Sequence, residues 1–169
     1  MATANQPKGS VSSGSIKPVT RKAVRCQREV AWLVTQAAGK LVATTDDVNA
    51  PTPSFVLAAA LSHARTQEQA ALDGGRAIDY EAVMTPDLAS FCQAAGLPAA
   101  PNALSDAGYM FTLSGADLIR DTFAYCTDLG ERMDNVTEVK PGYAIKLALR
   151  MFLLEGTSAV TASDDKTSA

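Results

Sequence analysis

The side chains in this 169-residue chain that are able to do chemistry are few. There is one histidine, His63, set in the run FVLAAALSHA, and three cysteines, Cys26, Cys92 and Cys126. A Cys–His nucleophile needs a thiolate beside the imidazole. All three cysteines fall on apolar predicted faces, where a free thiol behaves as a small hydrophobe. No CxxC occurs, and the lone histidine has no cysteine near it in sequence to complete a metal site. Three unpaired thiols suit a reducing, cytoplasmic setting. Carboxylates pair at Asp46-Asp47, Asp79 with Glu81, and Asp117 with Asp121. Acid–base work would require one of each pair to be desolvated, whereas solvated helix faces are their ordinary setting. The turn LDGGRA has two glycines but lacks the GK[ST] of a phosphate loop. The sequence therefore points to no catalytic residue, metal or cofactor, and a small enzyme is the least favoured class.

Charge is more informative. Residues 1–28 hold Lys8, Lys17, Arg21, Lys22, Arg25 and Arg28 and no acid, so they are +6. With a net charge of −3 overall, the remaining chain is −9. A basic arm on an acidic body suits polyanion binding, or docking on the acidic surface of a neighbouring copy. The arm contains no Phe, Tyr or Trp, so contacts would go to the phosphate backbone and tolerate any sequence. Lys146 and Arg150 stand four apart on the most apolar stretch of the chain, PGYAIKLALRMFLLE. Two cations stacked on one helix face cost a few tenths of a kcal/mol (~0.3) unless compensated. The compensating group is either a phosphate or an internal carboxylate. The candidate nucleic-acid-binding set is thus Lys17, Arg21, Lys22, Arg25, Arg28, Lys146 and Arg150.

The elements that must position these residues read as helices. Ala is abundant and aromatics make up 6%, which favours closely packed helices over a β-sandwich. Thr20 is expected to cap a helix to about Val42, and Thr52-Pro53 to open one to about residue 72, stopped by Gly74-Gly75. The 76–84 segment reads as helical or irregular, ahead of a short strand. Thr85-Pro86 repeats the cap-plus-proline signature ahead of a short helix ending at Ala95, with Gly96 as its stop. Residues 97–108 form a proline-punctuated loop, after which Tyr109–Leu113 reads as an apolar anchor or short strand. Ser114-Gly-Ala-Asp117 is a capping-box variant opening a helix over 115–133. The helix Pro141–Glu155 is apolar on nearly all sides and belongs at the centre, with Leu149 and Phe152 as its middle. At about 22 Å it is too short to span a bilayer, and no membrane is expected.

The fold expected is all-α: a single domain resembling a four- to five-helix bundle. A flexible basic arm occupies 1–18, the helical domain 19–156, and a short polar tail 157–169. The opening is Ser-rich and acid-free, as organelle transit peptides are, but no arginine precedes Arg21 and no amphipathic pattern is present. This organisation is similar, in architecture only, to helical viral coat and nucleocapsid proteins; no family motif is matched residue by residue. It implies a non-catalytic, self-assembling homo-oligomer associated with nucleic acid, RNA ahead of DNA. The alternative is a monomeric helical adaptor that grips a protein partner in an inter-helix groove.

Overall fold

The computed structural model describes residues 20–44, 51–101, 108–133 and 139–155. The expected arm and tail, Lys17 with them, lie outside the described residues. At the centre is a helix we call α6, Pro141–Leu153, opened by Pro141 in its first turn. Nine of its thirteen residues are buried, and Ile145, Leu147, Ala148 and Leu149 have no accessible surface. A helix buried on this many sides needs neighbours all round. They are α1 (Glu29–Thr44), α2 (Pro53–Asp73), α3 (Tyr80–Met84), α5 (Ala116–Arg132) and a strand, β1 (Arg21–Gln27). The buried residues form one contiguous apolar cluster. Among the described residues no helix is long and apolar enough to cross a membrane.

The strand corrects the all-α reading. The chain is mostly helical, with six helices among the described residues, but β1 pairs antiparallel with β2 (Gly108–Ser114) in a two-stranded ribbon. Val24 lies opposite Phe111, Arg25 opposite Met110 and Cys26 opposite Tyr109. The helix expected from Thr20 to Val42 is therefore two elements. Val24 and Cys26 are buried while Ala23, Arg25 and Gln27 are exposed, a period of two that fits a half-buried strand. A helix over the same residues would place Arg21, Lys22, Arg25 and Arg28 against the positive end of its own dipole. By starting at Glu29, α1 has a carboxylate in its first turn instead.

Of the expected caps Thr52 holds, while Thr20, Thr85 and Ser114 do not cap helices. Thr52 caps α2, its hydroxyl accepting from the Phe55 N–H. Asp79 caps α3, accepting from the Ala82 N–H at 3.0 Å. The short helix α4 (Leu88–Ala95) is capped by Asp87 rather than the expected Thr85, and it ends at Gly96, whose φ of +70° only glycine adopts without strain. The expected capping box at Ser114 is absent. Gly115 is the N-cap of α5, with no side-chain cap, because Ser114 is still part of β2 opposite Arg21 and its N–H donates to Ser54 Oγ. Ser54 also donates to the Thr112 carbonyl at 3.2 Å, so the start of α2 covers the outer edge of β2.

The outer edge of β1 meets the start of α6. There a Cβ built on Gly142 would stand 2.5 Å from the Arg25 carbonyl oxygen. Backbone against backbone cannot yield as a side chain can. We expect Gly142→Ala to lower stability by about 1–3 kcal/mol in urea denaturation; an unchanged midpoint would show that the strand can retreat at no cost.

Candidate nucleic-acid interface

The approach of α6 to β1 forms a groove of about 520 Å3, lined by Arg25 and Gln27 of β1, Gly108 of β2, and Lys140, Tyr143 and Lys146 at the start of α6. Of the six cations of the expected set that lie among the described residues, Arg25 and Lys146 are brought to this groove. Arg21 shares the outward face of β1 with Arg25, about 13 Å along the strand at 3.3 Å per residue. Lys22 lies on the other face of the ribbon, its ammonium 5.7 Å from the centre of the Phe123 ring. Arg28 is exposed in the turn between β1 and α1.

Arg150 is elsewhere in kind. Its side chain is wholly buried. Nη1 donates to the Val83 carbonyl at 2.9 Å and the Pro86 carbonyl at 2.8 Å, and Nη2 to Glu29 Oε2 at 2.8 Å. The guanidinium also lies 4.6 Å from the Phe91 ring centre. Of the two partners left open by the sequence, Arg150 has the internal carboxylate. Lys146 shares it: Nζ is 3.3 Å from Glu29 Oε1 and donates to Gln27 Oε1 at 2.7 Å. Burial holds the Lys146 ammonium below the usual lysine range, opposed by the charge of Glu29. Glu29 thus fixes both cations and ties α1 to α6. Lys146 forms the inner wall of the groove, while Arg25 and Lys140 are exposed at its mouth.

Sequence reading missed three participants, Lys140, Tyr143 and Glu29. Lys140, Tyr143 and Lys146 recur every third residue, a spacing that puts them on one side of a helix. That periodicity was obscured by the apolar residues between them. Tyr143 is 37% exposed and supplies the aromatic face that the basic arm lacks; burial and the charge of Glu81 raise its hydroxyl pKa. Glu29 carried no signal by itself, since its partners lie 117 and 121 residues further along.

The groups with the more familiar chemistry are occupied structurally. His63 packs edge-on to Phe152, ring centres 5.6 Å apart, with Nδ1 3.8 Å from Glu155. Burial holds its pKa below the usual range. The Cys26 and Cys126 thiols are each pushed up to about 11 by burial, which suppresses the thiolate. Asp117 and Asp121 bracket Arg120 on the surface. The double glycine of LDGGRA ends α2. The pair Asp46-Asp47 lies outside the described residues. No group of three or more His, Cys, Asp or Glu gathers as a metal site would among the described residues.

A second buried ionic cluster joins α2 to α5. Glu68 is 3% exposed. Its Oε2 accepts from the Tyr80 hydroxyl at 2.7 Å and the Tyr125 hydroxyl at 2.8 Å, and Arg132 Nη1 stands 2.6 Å from Oε1. Burial, reinforced by the Glu68 charge, raises both tyrosine pKa values, so both remain donors. We expect Tyr125→Phe, which leaves the buried carboxylate one donor short, to cost about 1–3 kcal/mol. Thermal denaturation checks this, and a Tm within a degree of the parent refutes it.

Comparison with protein-family models, with curated proteins and with solved structures returns no match for this chain.

Proposed function

We propose that this chain is a non-catalytic, self-assembling structural protein associated with nucleic acid, organised like a helical coat or nucleocapsid protein. The phosphate backbone runs along the outward face of β1 and into the groove at the start of α6. The observation that carries the reading is the gathering of Arg25, Lys140 and Lys146 with Tyr143 around one groove, on a chain whose residues beyond 28 sum to −9. Cations concentrated on one part of an acidic protein form the electrostatic footprint of a polyanion site. A tyrosine beside them offers a stacking surface for a base in single-stranded RNA. Arg28, exposed just past β1, extends the cationic track. Arg150 supports it from inside by fixing Glu29 and has no direct contact role. Acidic residues on α5 leave the opposite charge available to the basic arm of a neighbouring copy in a homo-oligomer.

Light scattering tests assembly and binding together. Particle size is measured with and without single-stranded RNA, at 50 mM and 300 mM salt. Growth of the particle with RNA at low salt, reversed at high salt, is expected. A protein that stays monomeric at high concentration and shows no salt-sensitive retention of RNA or DNA would sink the proposal. The adaptor reading has one observation of its own, an open cleft between α2 and α5 flanked by the exposed Phe55.

A further inference from the structure

Gln27 closes β1 and lines the groove beside Lys146. Lys146 Nζ donates to Gln27 Oε1 at 2.7 Å. An ammonium has donors and no acceptor, so the amide must turn its oxygen to the lysine. Lys146 is itself held, because Glu29 Oε1 stands 3.3 Å from it. The Gln27 amide is left with Nε2 to offer a ligand, and Nε2 has no partner among the described residues. We propose that this groove seats one unstacked nucleotide of single-stranded RNA and that Gln27 selects guanine over adenine there. The inference rests on the nucleic-acid reading above and adds base selection to it.

Size and charge fit that occupant. The groove, about 520 Å3, is within the range of pockets that hold one small organic molecule, roughly 300–1,000 Å3. Arg25 and Lys140, exposed at the mouth, suit a phosphate. A Cβ built on Gly108 would stand 2.8 Å from Arg25 Nη1, so the guanidinium rests against bare backbone across the ribbon and stays at the mouth. Tyr143 offers a ring for a base to stack on, and Met84 a soft apolar contact.

The choice of base follows from the donor pattern. A glutamine amide with both ends free reads adenine in bidentate fashion, its oxygen accepting from N6 and its nitrogen donating to N7. Here the oxygen is engaged by Lys146. Arg25, Lys140, Lys146 and Gln27 Nε2 all donate. Guanine presents N7 and O6, both acceptors, along the corresponding edge. Adenine would set its N6 amino group, a donor, against donors, and an unpaired donor costs affinity. The two purines are alike in size and stacking surface, so this edge is what separates them. Bases of an unstacked strand are open to such reading on that edge.

The test compares an all-adenylate RNA nonamer with the same nonamer carrying one central guanine. Affinities for the full chain are read by fluorescence anisotropy in 0.1 M salt. Length and charge are identical, so the phosphate contacts cancel. The guanine nonamer is expected to bind about tenfold more tightly. Hypoxanthine at the centre, which keeps N7 and O6, should preserve the preference, and 7-deazaguanine, which lacks N7, should lose most of it. Gln27→Leu should bring the two affinities within about twofold of each other, whereas Tyr143→Ala should weaken both nonamers and leave their ratio unchanged. Equal affinity of the parent for both nonamers, with salt-sensitive binding intact, overturns the inference and leaves the nucleic-acid reading standing. A guanine preference that persists in Q27L also overturns it, by placing the selection elsewhere. Absence of salt-sensitive binding to either nonamer overturns both. The series of central bases is read on the unsubstituted chain, so the outcome does not depend on how any variant folds.

Discussion

Replacing Arg150 by methionine is expected to lower the unfolding free energy by about 3–5 kcal/mol, as removal of one partner from a buried ion pair does. Methionine keeps much of the side-chain volume, so little of the loss is a cavity. What is lost is one group that satisfies several others at once. The carbonyls of Val83 and Pro86 each lose a charged donor, and so does Glu29 Oε2. Glu29 retains Lys146 at 3.3 Å, a single contact in place of two. The cation–π contact with Phe91 also goes. Val83 is in α3 and Pro86 lies between α3 and α4, so the guanidinium also ties that connection to the central helix. Urea denaturation of the parent, R150M, Glu29→Gln and the double variant forms a cycle. A coupling energy of about 1–3 kcal/mol between the two positions is expected. A loss below 1 kcal/mol in R150M would mean that the guanidinium is dispensable. Where R150M remains folded, its RNA affinity should fall far less than that of a groove variant, because the buried group never reaches solvent and acts only through Glu29. Lys146 differs: its ammonium borders the groove, so its removal should weaken both stability and binding.

The contrast between these two lysine and arginine positions shows what the sequence made legible. The 3.6-residue pattern of 141–155 was sufficient to place α6 at the centre and to mark Lys146 and Arg150 as needing partners. The choice between phosphate and carboxylate depends on residues that meet only in three dimensions. Glu29 stands in the first turn of a helix whose start was misplaced, and its role was hidden with that start. The misplacement has a physical origin. Val24, Ala31, Val34, Ala38 and Leu41 fit a helical face, while Val24 and Cys26 alone fit a strand. Seven residues are too few for either period to prevail. Pairing with Phe111 and Leu113 across more than 80 residues decides it, and that contact has no local signature. Tyr109–Leu113 was readable as a strand but had no visible mate. Local chemistry fared better: Thr52, Pro53, Gly74 and Gly96 mark the ends of α2 and α4 as their types require. The Glu68 cluster was invisible for the same reason as Glu29, since Glu68, Tyr80 and the pair Tyr125 and Arg132 come from three separate helices.

Neutralising the mouth of the basic groove is expected to have the largest effect on binding. With Arg21, Arg25 and Lys140 all changed to glutamine, three phosphate contacts are removed. For single-stranded RNA each contact contributes about 0.7 to the slope of log affinity against log salt, so the slope should fall by about 2. At 0.1 M salt that corresponds to roughly a hundredfold weaker binding. All three side chains are exposed and none is paired to a buried acid, so the folded state should lose little. This separates them from Arg150, whose loss unfolds without touching the polyanion. Tyr143→Ala acts through a different property. Removing one stacking surface should cost about 1–3 kcal/mol of affinity and leave the salt slope unchanged, because no charge is altered. Filter binding of a homopolymeric RNA across a salt series measures both quantities. The comparison is made with Arg120→Gln on α5, which removes the same charge outside the groove lining. If that variant lowers affinity and slope as much per charge as the groove variants do, binding follows net charge alone and the groove has no special standing. If the groove variants alone reduce the slope and Tyr143→Ala alone reduces affinity at constant slope, the phosphate track and the stacking surface are distinct parts of one site. The half-buried Glu29 then has a functional consequence as well as a structural one. By holding Lys146 against Gln27, it sets the depth at which the phosphate track meets α6.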